Sequence, residues 1–98
     1  MKSKMNRTKT AQELASYLGL SPAEGAEIAF RTILNNKIID IIASDGLTHL
    51  QVAKLAGTSR TRVTAIANRN TTDISTDLML RVLASLGYEA QVKFKKVS

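Results

Sequence analysis

"GLTHLQVAKLAGTSRTRVTAIANRN", residues 46–70, contains no acidic residue and four cations, Lys54, Arg60, Arg62 and Arg69. Small residues punctuate it at Ala53, Ala56, Gly57, Ala65 and Ala67. Thr48 can cap a helix over His49 to Ala56, because its oxygen can accept from a first-turn N–H that lacks a partner in the helix. Gly57 suits the left-handed residue that closes such a helix, having no Cβ to clash. Ser59 can then cap a second helix from Arg60 to about Asn68. Val52, Ala53 and Leu55 are expected to face inward from the first helix, and Val63 and Ile66 from the second. Two short helices joined by a tight turn, with small Ala53 where they touch, describe a helix-turn-helix. The outer face of the second helix is left basic and free of acids.

Working outward, "SPAE" at 21–24 has the form of a helix start. Ser21 is the cap, Pro22 sits where a missing N–H costs nothing, and Glu24 reaches back to close a capping box. Apolar residues then recur with helical period at Ala26, Ala29, Phe30, Ile33, Leu34, Ile38, Ile41 and Ile42. Asp45-Gly46 stops this long helix, whose apolar surface is wide enough to meet a second subunit as well. Upstream, "TAQE" at 10–13 predicts a short helix to about Leu18, preceded by a basic arm over residues 1–9. Downstream, Ser75 caps a last helix with Leu78, Val82, Leu83 and Leu86 inside and Gly87 at its end. The period then changes. Tyr88, Ala90, Val92 and Phe94 alternate with Glu89, Gln91, Lys93 and Lys95, which predicts a strand over 88–97. The rest of the chain supplies no second strand candidate, so this strand is expected to pair across a homodimer, burying Tyr88, Val92 and Phe94. The expected fold is all-α: a helix-turn-helix bundle of about five helices over 10–98, with that short C-terminal strand.

Composition narrows the function. Ninety-eight residues make one domain, and aromatic residues at only 4%, with no Trp, suit a helical core of Leu, Ile, Val and Ala. No Cys is present, which removes disulfides, thiolate zinc sites and Cys nucleophiles and fits a reducing cytoplasm. A single His and no carboxylate pair at useful spacing argue against an enzyme, a metal site or a cofactor. Asp40 and Asp45 interrupt the longest apolar stretch, so no membrane span is expected. The net charge of +6 favours a polyanion. The cations cluster at Lys2, Lys4, Arg7 and Lys9, at Arg60, Arg62 and Arg69, and at Lys93, Lys95 and Lys96. RNA readers usually stack bases on aromatic rings. The aromatics here are Tyr17, Phe30, Tyr88 and Phe94, none of them in the basic stretch, so an RNA-binding or purely structural module is the weaker alternative to double-stranded DNA.

A recognition helix reads bases mainly with its N-terminal residues. Arg60 can pair with guanine O6 and N7, Thr61 and Thr64 can offer hydroxyls or a methyl, and Ala65 can touch a thymine methyl. Thr48, His49, Ser59, Arg62, Asn68 and Arg69 are placed for phosphates. The plain alternative is that Arg62 and Arg69 are solvated charges and His49 and Thr64 ordinary surface residues.

"LTHLQVAKLAGTSRTRVTAIANRN" resembles the phage-repressor-like (Cro/XRE, lambda-repressor-like) helix-turn-helix family. The likeness runs over roughly residues 10–97. "STDLMLRVLASLGYEAQVKF" is similar to the segment that follows in one branch, where a leucine-rich helix leads through a glycine into a short basic strand. That branch includes antitoxins of the HigA type, encoded beside ribonuclease toxins. The resemblance implies a sequence-specific DNA-binding regulator, a repressor, and within this branch a toxin as protein partner. One departure stands out: "ANRN" puts Arg69 where a Gly commonly follows the recognition helix, which would tighten phosphate binding or shift the loop.

Overall fold

The computed structural model describes residue 19 and residues 21–96. Four helices follow one another: α1 (Pro22–Asp45), α2 (His49–Ala56), α3 (Arg60–Ala67) and α4 (Thr76–Ser85). Among the described residues there is no strand, and no helix is long and apolar enough to cross a membrane. The basic arm (1–9) and the expected helix to Leu18 lie outside the described residues, so four of the five expected helices are described. The chain divides into two compact units, Met1–Ile33 and Leu34–Ser98.

In the first unit, α1 starts as "SPAE" predicts. The Ser21 N–H donates to Glu24 Oε1 at 2.8 Å, and the Glu24 N–H donates to Ser21 Oγ at 3.1 Å. Both groups are first-turn donors that the helix itself does not satisfy. The Ser21 backbone N–H, then the Ser21 side chain, hold the Glu24 carboxyl below its ordinary pKa, outweighing a small opposing desolvation. The apolar stripe needs correction in this part of the helix. Ala26 and Ile33 are exposed, Ile33 at 65%, while Ala29 and Phe30 are half-buried. Successive residues turn by about 100°, so Ile33 falls to one side of Leu34 while the buried positions Asn35, Ile38 and Ile42 fall to the other.

The second unit holds the core. Leu34, Ile38, Ile41 and Ile42 enter it from α1, Val52, Ala53 and Ala56 from α2, and Val63 and Ile66 from α3. Leu78, Met79, Val82 and Leu83 enter from α4, and Ile74 from the loop before it. Full burial of an aliphatic side chain is worth ~1.5–3 kcal/mol, so this set supplies most of the favourable free energy. The helix α2 packs against both α3 and α4. Leu55 is a further correction: it is 58% exposed, and Ala56 takes the inner position, because Val52, Ala53 and Ala56 form one edge of the helix and Leu55 lies beside it.

The helices end in a shared hydrogen-bond pattern. The N–H groups of Leu47, Thr58, Asn70 and Tyr88 donate to the carbonyls of Ile42, Ala53, Ala65 and Leu83, five residues back in each case. This satisfies carbonyls that the helix cannot, and it requires a left-handed residue just before each donor. Gly46, Gly57 and Gly87 fill that place in three cases; in the fourth it is Arg69, with φ 61°.

Beyond α4 the chain departs from expectation. Residues 88–96 have no regular secondary structure and are exposed, with Tyr88 at 44%, Val92 at 61% and Phe94 at 93%. The strand expected over 88–97 is therefore not formed among the described residues 88–96, and these three side chains are not buried there. The physical reason is the one the alternation raises: a strand without a neighbour has no ladder for its N–H and C=O groups. Tyr88 instead lies under Lys37, whose Nζ is 5.0 Å from the ring centroid.

Candidate nucleic-acid interface

The two helices of the motif are held at both ends. Thr48 is extended (φ -85°, ψ 158°), and its Oγ1 accepts from the Gln51 N–H at 3.0 Å. Gln51 Oε1 in turn accepts from the Thr48 N–H at 2.8 Å, completing a capping box. Gln51 was not singled out from the sequence, although "THLQ" carries the signature. At the other end of α2, Gly57 takes φ 68° and turns the chain toward Ser59. Ser59 repeats the device: its Oγ accepts from the Arg62 N–H at 3.2 Å and starts α3.

With α3 started there, Arg60, Thr61 and Arg62 stand exposed on its first turn. Val63 and Ile66, both 0% exposed, fix the opposite face in the core. Thr64 and Ala65 lie partly buried, and Asn68 and Arg69 are exposed at the far end. His49 Nδ1 and Thr64 Oγ1 are 2.9 Å apart, in hydrogen-bond contact, which ties the first turn of α2 to the middle of α3. Thr48, His49, Leu50 and Arg60 line an open hollow of ≈ 350 Å³ between the starts of the two helices. Four of the expected contact residues are thus brought together: Thr48 and His49 with Arg60 around the hollow, and Thr64 through His49. Ser59, Thr61 and Arg62 continue from them along the chain. Asn68 and Arg69 form a separate group beyond the C-terminus of α3.

That second group is organised by two residues that the sequence reading missed. Asn35 is only 6% exposed, and its Nδ2 donates to the Ile66 carbonyl at 2.8 Å. Its neighbour Asn36 accepts a hydrogen bond at Oδ1 from Arg69 Nη1. The one available signal was the pair "NN" between Leu34 and Lys37 in the middle of a helix, where Asn is a poor helix former.

A family model described as a helix-turn-helix domain matches residues 16–95. The chain belongs to this helix-turn-helix family. Membership marks it, in general terms, as a DNA-binding regulator. Comparison with curated proteins and with solved structures gave no match. The match runs through the motif and into the segment after α4, so that segment is part of the family's domain.

Proposed function

We propose that the chain is a sequence-specific double-stranded DNA-binding repressor that works as a homodimer. The observation that carries this is the first turn of α3: three exposed residues, Arg60, Thr61 and Arg62, project from a capped start while the opposite face is fixed in the core. A helix so held enters a major groove end-on, with its early residues against base edges. Arg60 takes guanine O6 and N7, Thr61 a neighbouring base, and Ala65 a thymine methyl. Thr64, whose hydroxyl His49 occupies, offers its methyl group. Thr48, His49 and Ser59 meet phosphate at the two helix starts, and Arg62, Asn68 and Arg69 meet it along and beyond α3. His49 acts in this contact and in no catalysis. The two-fold partner and the repressor role are supported by the alternating tail and by the likeness to phage repressors. The likeness of residues 75–94 to the antitoxin branch extends the proposal to a ribonuclease toxin as protein partner.

Competition decides between nucleic acids. A labelled duplex is challenged with unlabelled duplex DNA or single-stranded RNA at two salt concentrations. Duplex DNA is expected to compete far better, with affinity falling by ~0.9 log unit per phosphate contact for each log unit of salt. Equal competition by RNA would overturn the DNA proposal.

A further inference from the structure

We infer that Asn36 is a positioning residue that orients Arg69 for contact with a DNA phosphate; this rests on the DNA-binding function proposed above. The backbone raises the question. Arg69 has φ 61°, a left-handed conformation that Cβ disfavours, where the other three helix ends use glycine. The cap at this end consists of two backbone bonds, Asn70 N–H to the Ala65 carbonyl at 2.8 Å and Arg69 N–H to the Ile66 carbonyl at 3.1 Å. Glycine would make both without steric cost. The arginine side chain is therefore not required by the cap.

Its surroundings show what it is placed for. The guanidinium donates to Asn36 Oδ1 on α1, 33 residues earlier. The adjacent Asn35 is buried and holds the Ile66 carbonyl, one of the two acceptors in that cap. Asn35 thus fixes the end of α3 against α1, and Asn36 fixes the direction of the cation leaving it. Chemistry decides the ligand class. An aspartate at position 36 would neutralise the guanidinium; a neutral amide orients it and leaves its charge intact. A guanidinium has five N–H donors in a planar fork, so one spent on Asn36 leaves four for an anionic oxygen, and the side chain is exposed. An arginine already ordered loses less freedom on binding. At the end of a helix seated in the major groove, the anion within reach is a backbone phosphate.

The test uses the full chain and a fluorescein-labelled mixed-sequence duplex, titrated at several salt concentrations beside thermal melts. Arg69→Gly is expected to keep or raise the melting temperature, yet weaken DNA binding roughly three- to tenfold and make the salt slope shallower by ~0.9 per subunit bound. A purely structural staple predicts no change in the slope. Asn36→Ala is expected to weaken binding about two- to tenfold when Arg69 is present and not at all in the Arg69→Gly background. Asn36→Asp keeps an acceptor, and should hold the fold while lowering DNA affinity. An unchanged salt slope in Arg69→Gly, or an Asn36→Ala effect of equal size in both backgrounds, would overturn the inference while leaving DNA binding standing. Failure of the unaltered chain to bind any duplex would remove both.

Discussion

Thr58, in the turn between α2 and α3, has a buried hydroxyl oxygen with no hydrogen-bond partner. A hydroxyl withdrawn from water without compensation costs about 1–3 kcal/mol. Thr58→Val keeps the shape and removes the polar atom, so it is expected to stabilise the fold by about 1 kcal/mol, a rise of roughly 4–8 °C in melting temperature. A lower melting temperature would mean that the hydroxyl has a partner in solution. At Glu24 the prediction concerns pH. The Ser21 backbone N–H favours the ionised carboxylate, so the folded pKa lies below the unfolded one. The capping box is therefore complete above the ordinary carboxylate range and is lost as pH falls through the lowered folded value. Protection of the Ser21 amide, its exchange rate relative to the intrinsic rate at each pH, should fall across that same acid window; protection that stays constant down to full protonation would contradict it. Residue roles were legible in the sequence where they are local. Thr48, Ser59, Ser75 and Gly57 act within a few residues of themselves. Asn35 and Asn36 were not legible, because their partners lie 31 and 33 residues away and only the packing of α1 brings them together.

At the scale of elements, α3 is set by its two ends: the Ser59 cap at the start and the Asn35 bond to the Ile66 carbonyl at the finish. Asn35→Ala removes the second and is expected to cost about 1–2 kcal/mol in chemical denaturation. It should also loosen the helix end, seen as faster amide exchange at Asn68 to Asn70 than over the first turn. Uniform acceleration along α3 would show that Asn35 acts only through general stability. The starts of α1 to α4 were legible because each follows a capping Ser or Thr, and the ends of α1, α2 and α4 because a glycine follows; the left-handed Arg69 after α3 was not legible. The buried faces were less so. Periodicity locates a stripe, but it does not say which neighbours exist to cover it, and Ile33 and Leu55 fell just outside. The tail failed for a related reason. Alternation suits a strand only where a neighbouring strand pairs with it, and the described residues hold no strand beside it.

At the scale of the whole molecule, the homodimer proposed above assigns the exposed Tyr88, Val92 and Phe94 to its interface. Paired antiparallel across a two-fold axis, the two tails would gain the ladder that each lacks and bury these side chains. Deleting residues 88–98 is expected to shift sedimentation from dimer toward monomer, and to reduce DNA affinity far more than the loss of Lys93, Lys95 and Lys96 explains. An undiminished dimer would place the interface on α1 instead. A two-fold dimer also fixes the form of its site: half-sites about 34–36 Å apart on one face of the duplex. The most direct measurement is binding-site selection from a random duplex library, run in parallel with the unaltered chain and with Arg60→Ala. The unaltered chain should enrich a near-palindrome with that spacing, and Arg60→Ala should lose preference at one symmetric base-pair position, at a cost of ~1–3 kcal/mol. Absence of any enriched sequence, or an Arg60→Ala variant that weakens all duplexes alike with its base preferences unchanged, would contradict sequence reading by α3.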